Sequence, residues 1–105
     1  MKVDLDSVEL YINYQANRIE ARVQDYLCLV DFIPAERVIV FTHTEVPLIL
    51  GGNGIAGLMV RAALAHVREN NLWLVPLCPY FSTYLRRHPE EQDLVYSWSP
   101  KSTKI

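Results

Sequence analysis

Apolar and polar residues alternate through much of the N-terminal half of the chain, the period of an extended strand with one face buried. Residues 17–23 begin a strand and residues 26–33 form a second, with Tyr26, Cys28, Val30 and Phe32 on one face and Leu27, Leu29 and Asp31 on the other. Only Gln24-Asp25 separates them, which predicts a tight antiparallel hairpin. After the Pro34-Ala35-Glu36 turn, the β-branched run 37–45 predicts a third strand, with Ile39, Phe41 and His43 facing opposite to Val38, Val40 and Thr42. The period then changes. Residues 53–70 read as a helix in which Arg61 and Arg68 mark one polar stripe, while Ile55, Leu58, Met59 and Ala62 form a broad apolar face suited to a sheet.

Asn70-Asn71 ends that helix, and the apolar run 72–75 predicts a fourth strand, parallel to the third through a right-handed crossover. Pro76 and Pro79 have no N–H to donate, so pairing fails at the end of this strand and the two parallel strands should part there. Pro79 is a suitable first residue for a second helix over 80–88, stopped by Pro89. The fold class predicted is α/β in the broad sense (α+β). It comprises a mixed sheet of four to five strands, three antiparallel and then a βαβ unit, with two main helices. No repeat, low-complexity tract or linker divides the sequence, so 1–105 reads as one domain, with 1–16 and 99–105 as ends that fray.

Composition narrows the function classes. A chain of 105 residues, half of them apolar, buries roughly two-thirds of the surface its unfolded form exposes. Ten Lys and Arg against twelve Asp and Glu give a net charge of −2 with no basic run, which disfavours nucleic acid as a partner. No segment approaches the ~18 apolar residues of a membrane span, and Met1-Lys2-Val3-Asp4-Leu5-Asp6 lacks a signal-peptide core, so a soluble, cytoplasmic protein is expected. Cys28 and Cys78 are too few for a disulfide scaffold and lack zinc-ligand spacing. No metal is expected.

The chemistry concentrates where the third strand meets the first helix. Gly51-Gly52-Asn53-Gly54-Ile55-Ala56 places glycines at a helix start, where the first N–H groups and the positive end of the dipole attract anions. A diphosphate fits such a turn. The residues do not spell Gly-x-x-x-x-Gly-Lys-Ser/Thr, and Gly52-Asn53-Gly54-Ile55-Ala56-Gly57 is out of step with Gly-x-Gly-x-x-Gly. The structural alternative is a glycine loop that only turns a strand into a helix. Cys78 stands between the fourth strand and the second helix, where a helix N-terminus favours the thiolate. It reads either as a nucleophile, as a polar lining residue, or as a small buried hydrophobe like Cys28. His43 and Glu45 share a strand face and either could deprotonate an ammonium, or each could be structural. Arg86 and Arg87 could reach phosphates or be simply solvated; His66 and His88 need no role beyond helix surface and capping.

Together these words resemble a family. The turn is similar to the Arg/Gln-x-x-Gly-x-Gly/Ala signature of the GNAT acetyltransferases, with Gly54 and Ala56 in the last two places and Gly51 in the first. His43-Thr44-Glu45-Val46-Pro47, Val75-Pro76-Leu77-Cys78-Pro79-Tyr80 and Tyr84-Leu85-Arg86-Arg87-His88-Pro89 extend the likeness to small stand-alone GNAT-like proteins of about a hundred residues, over roughly 17–95. The resemblance implies a truncated GNAT fold binding acetyl-CoA between the parted strands. Backbone N–H groups of Gly52, Asn53, Gly54, Ile55 and Ala56 would hold the pyrophosphate, with Val46, Gly51, Cys78, Tyr84 and Arg87 around the coenzyme. It also implies N-acetyl transfer to an amine, a protein lysine or a small amine, with Glu45 or His43 as base and Tyr84 as the acid for the departing thiolate; Tyr84 in the core is the alternative. A monomer or weak homodimer is expected. Gly51 in place of Arg or Gln leaves open a second reading, a CoA-binding regulatory protein with little turnover. A third is an interaction-only protein.

Overall fold

The computed structural model describes residues 2–97; the tail 99–105, expected to fray, lies outside them. Five strands form one mixed sheet in the order β1-β2-β3-β4-β5: β1 Glu9–Asn13, β2 Arg18–Val23, β3 Tyr26–Ala35, β4 Val38–Glu45 and β5 Trp73–Pro76. The first four run antiparallel to their neighbours, and β5 runs parallel to β4, with helix α1, Ile55–Glu69, in the crossover. Helix α2, Pro79–Arg87, follows with Pro79 as its first residue, where its missing N–H costs nothing. Short 3-10 turns occupy Leu5–Ser7, Leu48–Leu50 and Pro89–Leu94.

One face of the sheet carries Ile19, Ala21, Val23, Cys28, Val30, Phe32, Ile39, Phe41 and Leu74, all buried, and both helices pack on it through Ile55, Met59, Ala63, Val67, Phe81 and Leu85. The opposite face has no helix among the described residues. Leu27, Leu29, Val38, Val40 and Val75 are only half-buried there and Ile33 is exposed. Burial pushes the Cys28 thiol up, as suits a small core residue.

Two features correct the sequence reading. The segment 1–16, read as an end that frays, contains β1, which pairs along its length with β2. Leu10 and Ile12 pack against the core while Glu9 and Tyr11 turn outward, an alternation too short and too rich in Tyr and Asn to stand out. The second correction is a β-bulge in β4. Phe32 pairs with Phe41 but Asp31 with His43, so Thr42 is an extra residue. The insertion reverses the facing of all that follows: Thr44 turns inward after Ile39 and Phe41, and His43 and Glu45 move to the helix-free face with Val38 and Val40. His43 therefore does not share a face with Ile39 and Phe41.

The first hairpin contains a buried acid. Glu20 is 4% exposed although no helix covers its face. Tyr11 Oη donates to one carboxylate oxygen, and Arg18 Nε, at 2.5 Å, and Asn13 Nδ2, at 3.3 Å, to the other. The Tyr11 hydroxyl first, then the Arg18 guanidinium, hold the Glu20 carboxyl below the usual carboxylate range. A carboxyl with a depressed folded value stabilises the fold fully above its unfolded value and loses that contribution as pH falls through the folded one. The melting temperature of the protein is therefore expected to fall between about pH 5 and about pH 3, and Glu20→Gln to fall less over that window. Parallel falls in the two proteins would refute the assignment.

Candidate functional site

The glycine turn begins after the 3-10 turn at Leu48–Leu50 and ends at Gly54, the N-cap of α1. Gly52 and Gly54 both have φ +79°, a left-handed conformation that other residues reach only with strain. The first helical bond runs from Leu58 N–H to the Gly54 carbonyl, which leaves the N–H groups of Ile55, Ala56 and Gly57 without intrahelical partners. The first turn of α1 has no acidic side chain to occupy that positive end. Nothing lies within 4 Å of where a Cβ on Gly52 would stand, so the turn faces open space. These features fit a diphosphate.

A cavity of about 210 Å³ lies at this turn, walled by Val46, Leu50, Gly52, Gly54, Ala56 and Tyr80. A second, of about 390 Å³, opens between α1 and α2, with Ala56, Gly57, Tyr80, Thr83, Tyr84 and Arg87 on its walls. Ala56 and Tyr80 border both, so the two cavities adjoin and together make a groove from the glycine turn to Arg87. The groove lies on the helix side of the sheet.

Just before α2 in the chain, the parallel strands part. The last β4–β5 pair is Phe41 with Pro76, and the N–H groups of Leu77 and Cys78 both donate to the Phe41 carbonyl, at 3.1 and 3.0 Å. Beyond that point β4 continues through Thr42, His43, Thr44 and Glu45 with no β5 partner. Cys78 Sγ donates to Thr44 Oγ1 at 3.1 Å across the gap, and both residues are buried. The proline-limited strand end is thus bridged by a buried thiol–hydroxyl contact.

The model of the GCN5-related N-acetyltransferase (GNAT) family matches residues 18–94. The chain belongs to the GNAT family. Among solved structures, the solution structure of a GCN5-like protein from Staphylococcus aureus superposes with a TM-score of 0.66 at 22% identity, covering 92% of this chain and 96% of the other. That likeness speaks for the GNAT fold. No curated protein matches the chain.

This GNAT domain distributes its candidate residues over two faces of the sheet. Gly51, Gly52, Asn53, Gly54, Ile55 and Ala56 form the turn, Val46 and Tyr80 flank it, and Tyr84 and Arg87 line the far part of the groove. The Tyr84 ring stacks on His88 with centroids 3.9 Å apart and planes 9° apart, and His88 Nδ1 lies 3.2 Å from the Tyr84 carbonyl. Cys78 is 1% exposed at the head of α2. Arg86 faces solvent and donates to Thr83 Oγ1 at 3.4 Å. His43 and Glu45 are exposed on the opposite face, His43 Nε2 3.6 Å from Glu45 Oε2, with Asp31 across from His43. His66 sits on α1 with Asn70 Nδ2 3.1 Å from its Nδ1 and Tyr14 beside the ring, away from the groove.

Gly57, Tyr80 and Thr83 are among the groove residues that escaped the sequence reading. The signal was present, because Tyr80, Thr83, Tyr84 and Arg87 follow the i, i+3, i+4, i+7 spacing of one helix face. Among the described residues no cluster of His, Cys, Asp and Glu could hold a metal, and no helix is long and apolar enough to cross a membrane.

Proposed function

We propose that this GNAT protein binds acetyl-CoA in the groove between α1 and α2 and transfers the acetyl group to an amine. The observation that carries the reading is the pair of adjoining cavities that runs from an anion-ready turn at Gly52–Ala56 along α2 to Tyr84 and Arg87. Amides of the turn and the free end of α1 bind the pyrophosphate, and Arg87 adds a positive charge at the far end. Tyr80, Thr83 and Tyr84 enclose the coenzyme arm against Ala56 and Gly57.

Bound acetyl-CoA supplies an acyl carbon that accepts the amine and a thiol that leaves. Glu45, or His43 beside it, takes the proton of the incoming ammonium on the helix-free face. Tyr84 Oη returns a proton to the departing sulfur, its ring held in place by His88. Amide donors on the β5 side of β4, beyond its last pair with β5, polarise the carbonyl. Cys78 holds the parted strand end together rather than carrying the acyl group, since its thiol is buried and already donates to Thr44. The acceptor is an exposed protein lysine or a small amine, because no described helix covers the face on which Glu45 stands.

A second reading is a CoA-binding regulatory protein with little turnover, favoured by that uncovered face and by Gly51 at the first position of the turn signature. Calorimetry with acetyl-CoA and CoA, beside thiol release over a panel of amines and a mass spectrum of the loaded protein, separates the two. Binding with amine-dependent release and no adduct on Cys78 is expected. Binding without release supports the regulatory reading, and absence of binding removes both.

A further inference from the structure

Between positions 51 and 54 the turn contains a single residue with a side chain, Asn53, and that side chain points into the protein rather than toward the groove. Its Oδ1 accepts a hydrogen bond from the Val3 N–H at 3.0 Å, from fifty residues earlier in the chain. Its Nδ2 donates to the Leu50 carbonyl at 2.8 Å, and more loosely to the Gly51 carbonyl at 3.4 Å. The same N-terminal segment supports the next glycine: Leu5 Cδ1 stands 3.5 Å from where a Cβ on Gly54 would be. Val3 and Leu5 are themselves packed against the core. Asp4 caps the 3-10 turn Leu5–Ser7, accepting from Asp6 N–H at 3.1 Å, and the turn leads directly into β1. The segment is therefore a fixed stay, anchored on the sheet.

We propose that Asn53 and the Val3 backbone form a clamp that holds the glycine turn in its anion-binding shape, so that Asn53 is a positioning residue and the N-terminal segment belongs to the coenzyme site. The inference rests on the coenzyme reading above. Glycine gives the turn its left-handed angles but also the largest freedom to leave them, and ordering such a stretch at the moment of binding subtracts from affinity. A side chain that fixes both ends of the turn beforehand removes that cost. Asn53 does so from behind, leaving the outer surface of Gly52 clear.

Two variants test the clamp. Asn53→Ala removes every hydrogen bond of the side chain, and Val3→Pro removes only the one that Asn53 accepts from the Val3 N–H. Each is expected to weaken CoA binding about tenfold, the loss of one well-placed hydrogen bond, and the double variant to be no weaker than Asn53→Ala alone. Hydrogen exchange of the free protein should show faster exchange at the hydrogen-bonded amides that bracket the turn, those of Leu50, Gly51 and Leu58, in both variants, with β2 to β4 unchanged. Wild-type affinity and wild-type exchange in folded Val3→Pro would overturn the clamp. Should wild-type protein fail to bind CoA, the functional reading falls, and the exchange comparison still decides the clamp by itself.

Discussion

Gly54→Val is expected to abolish measurable acetyl-CoA binding while leaving the protein folded. Gly54 is the N-cap of α1 at φ +79° and ψ 16°. A β-branched residue held in that region carries strain of about 1–3 kcal/mol, which the chain relieves by rotating the turn. The rotation moves the N–H groups of Ile55 and Ala56 that the pyrophosphate requires. The added methyls also press on Leu5, whose Cδ1 already lies 3.5 Å from the Cβ position. Losing three or four charge-assisted hydrogen bonds in concert predicts a Kd increase beyond about a hundredfold, since each is worth roughly 1.5–3 kcal/mol. The same strain lowers the stability of the fold by a smaller amount, within what a domain of this size tolerates. Calorimetry on the folded variant is the measurement, and unchanged affinity would remove the turn as the coenzyme site.

The residues that make this prediction possible were legible in the sequence, because glycine in a strand-to-helix turn marks backbone angles directly. The strands β2 and β3 were legible for a similar reason: Cys28, Val30 and Phe32 alternate cleanly with Leu27, Leu29 and Asp31. The bulge at Thr42 was not. Thr42-His43-Thr44-Glu45 is polar at every position, so the alternation has no apolar member to reveal a change of phase. Only pairing with β3 shows which residue is extra. The consequence is chemical, since it puts Thr44 rather than His43 against Cys78 and sends His43 and Glu45 together to the uncovered face. The contact of Asn53 with Val3 was equally hidden, because a side chain meeting a backbone fifty residues away leaves no mark in either local pattern.

Phe41 and Phe81 carry the second large effect. Phe41 is fully buried, stacks face to face on Phe81 with centroids 4.4 Å apart, and meets Phe32 edge-on at 6.3 Å. Phe81→Ala is expected to cost about 3–5 kcal/mol, a large share of the roughly 5–15 kcal/mol that holds a domain folded. Phe81→Leu, which keeps most of the volume, should cost less than about 1.5 kcal/mol plus the aromatic pairing. The position of the pair makes the effect functional as well as structural. Phe41 is the residue at which β4 and β5 part, its carbonyl receiving both Leu77 and Cys78, while Phe81 fixes the first turn of α2 against the sheet. Tyr80, Thr83, Tyr84 and Arg87 ride on that helix, so loosening it opens the groove before the sheet itself unfolds. Urea unfolding of Phe81→Ala and Phe81→Leu, monitored beside hydrogen exchange in α2, measures both parts. A loss below about 1 kcal/mol for Phe81→Ala, or exchange in α2 no faster than in β3, would show that the stack does not hold the helix in place.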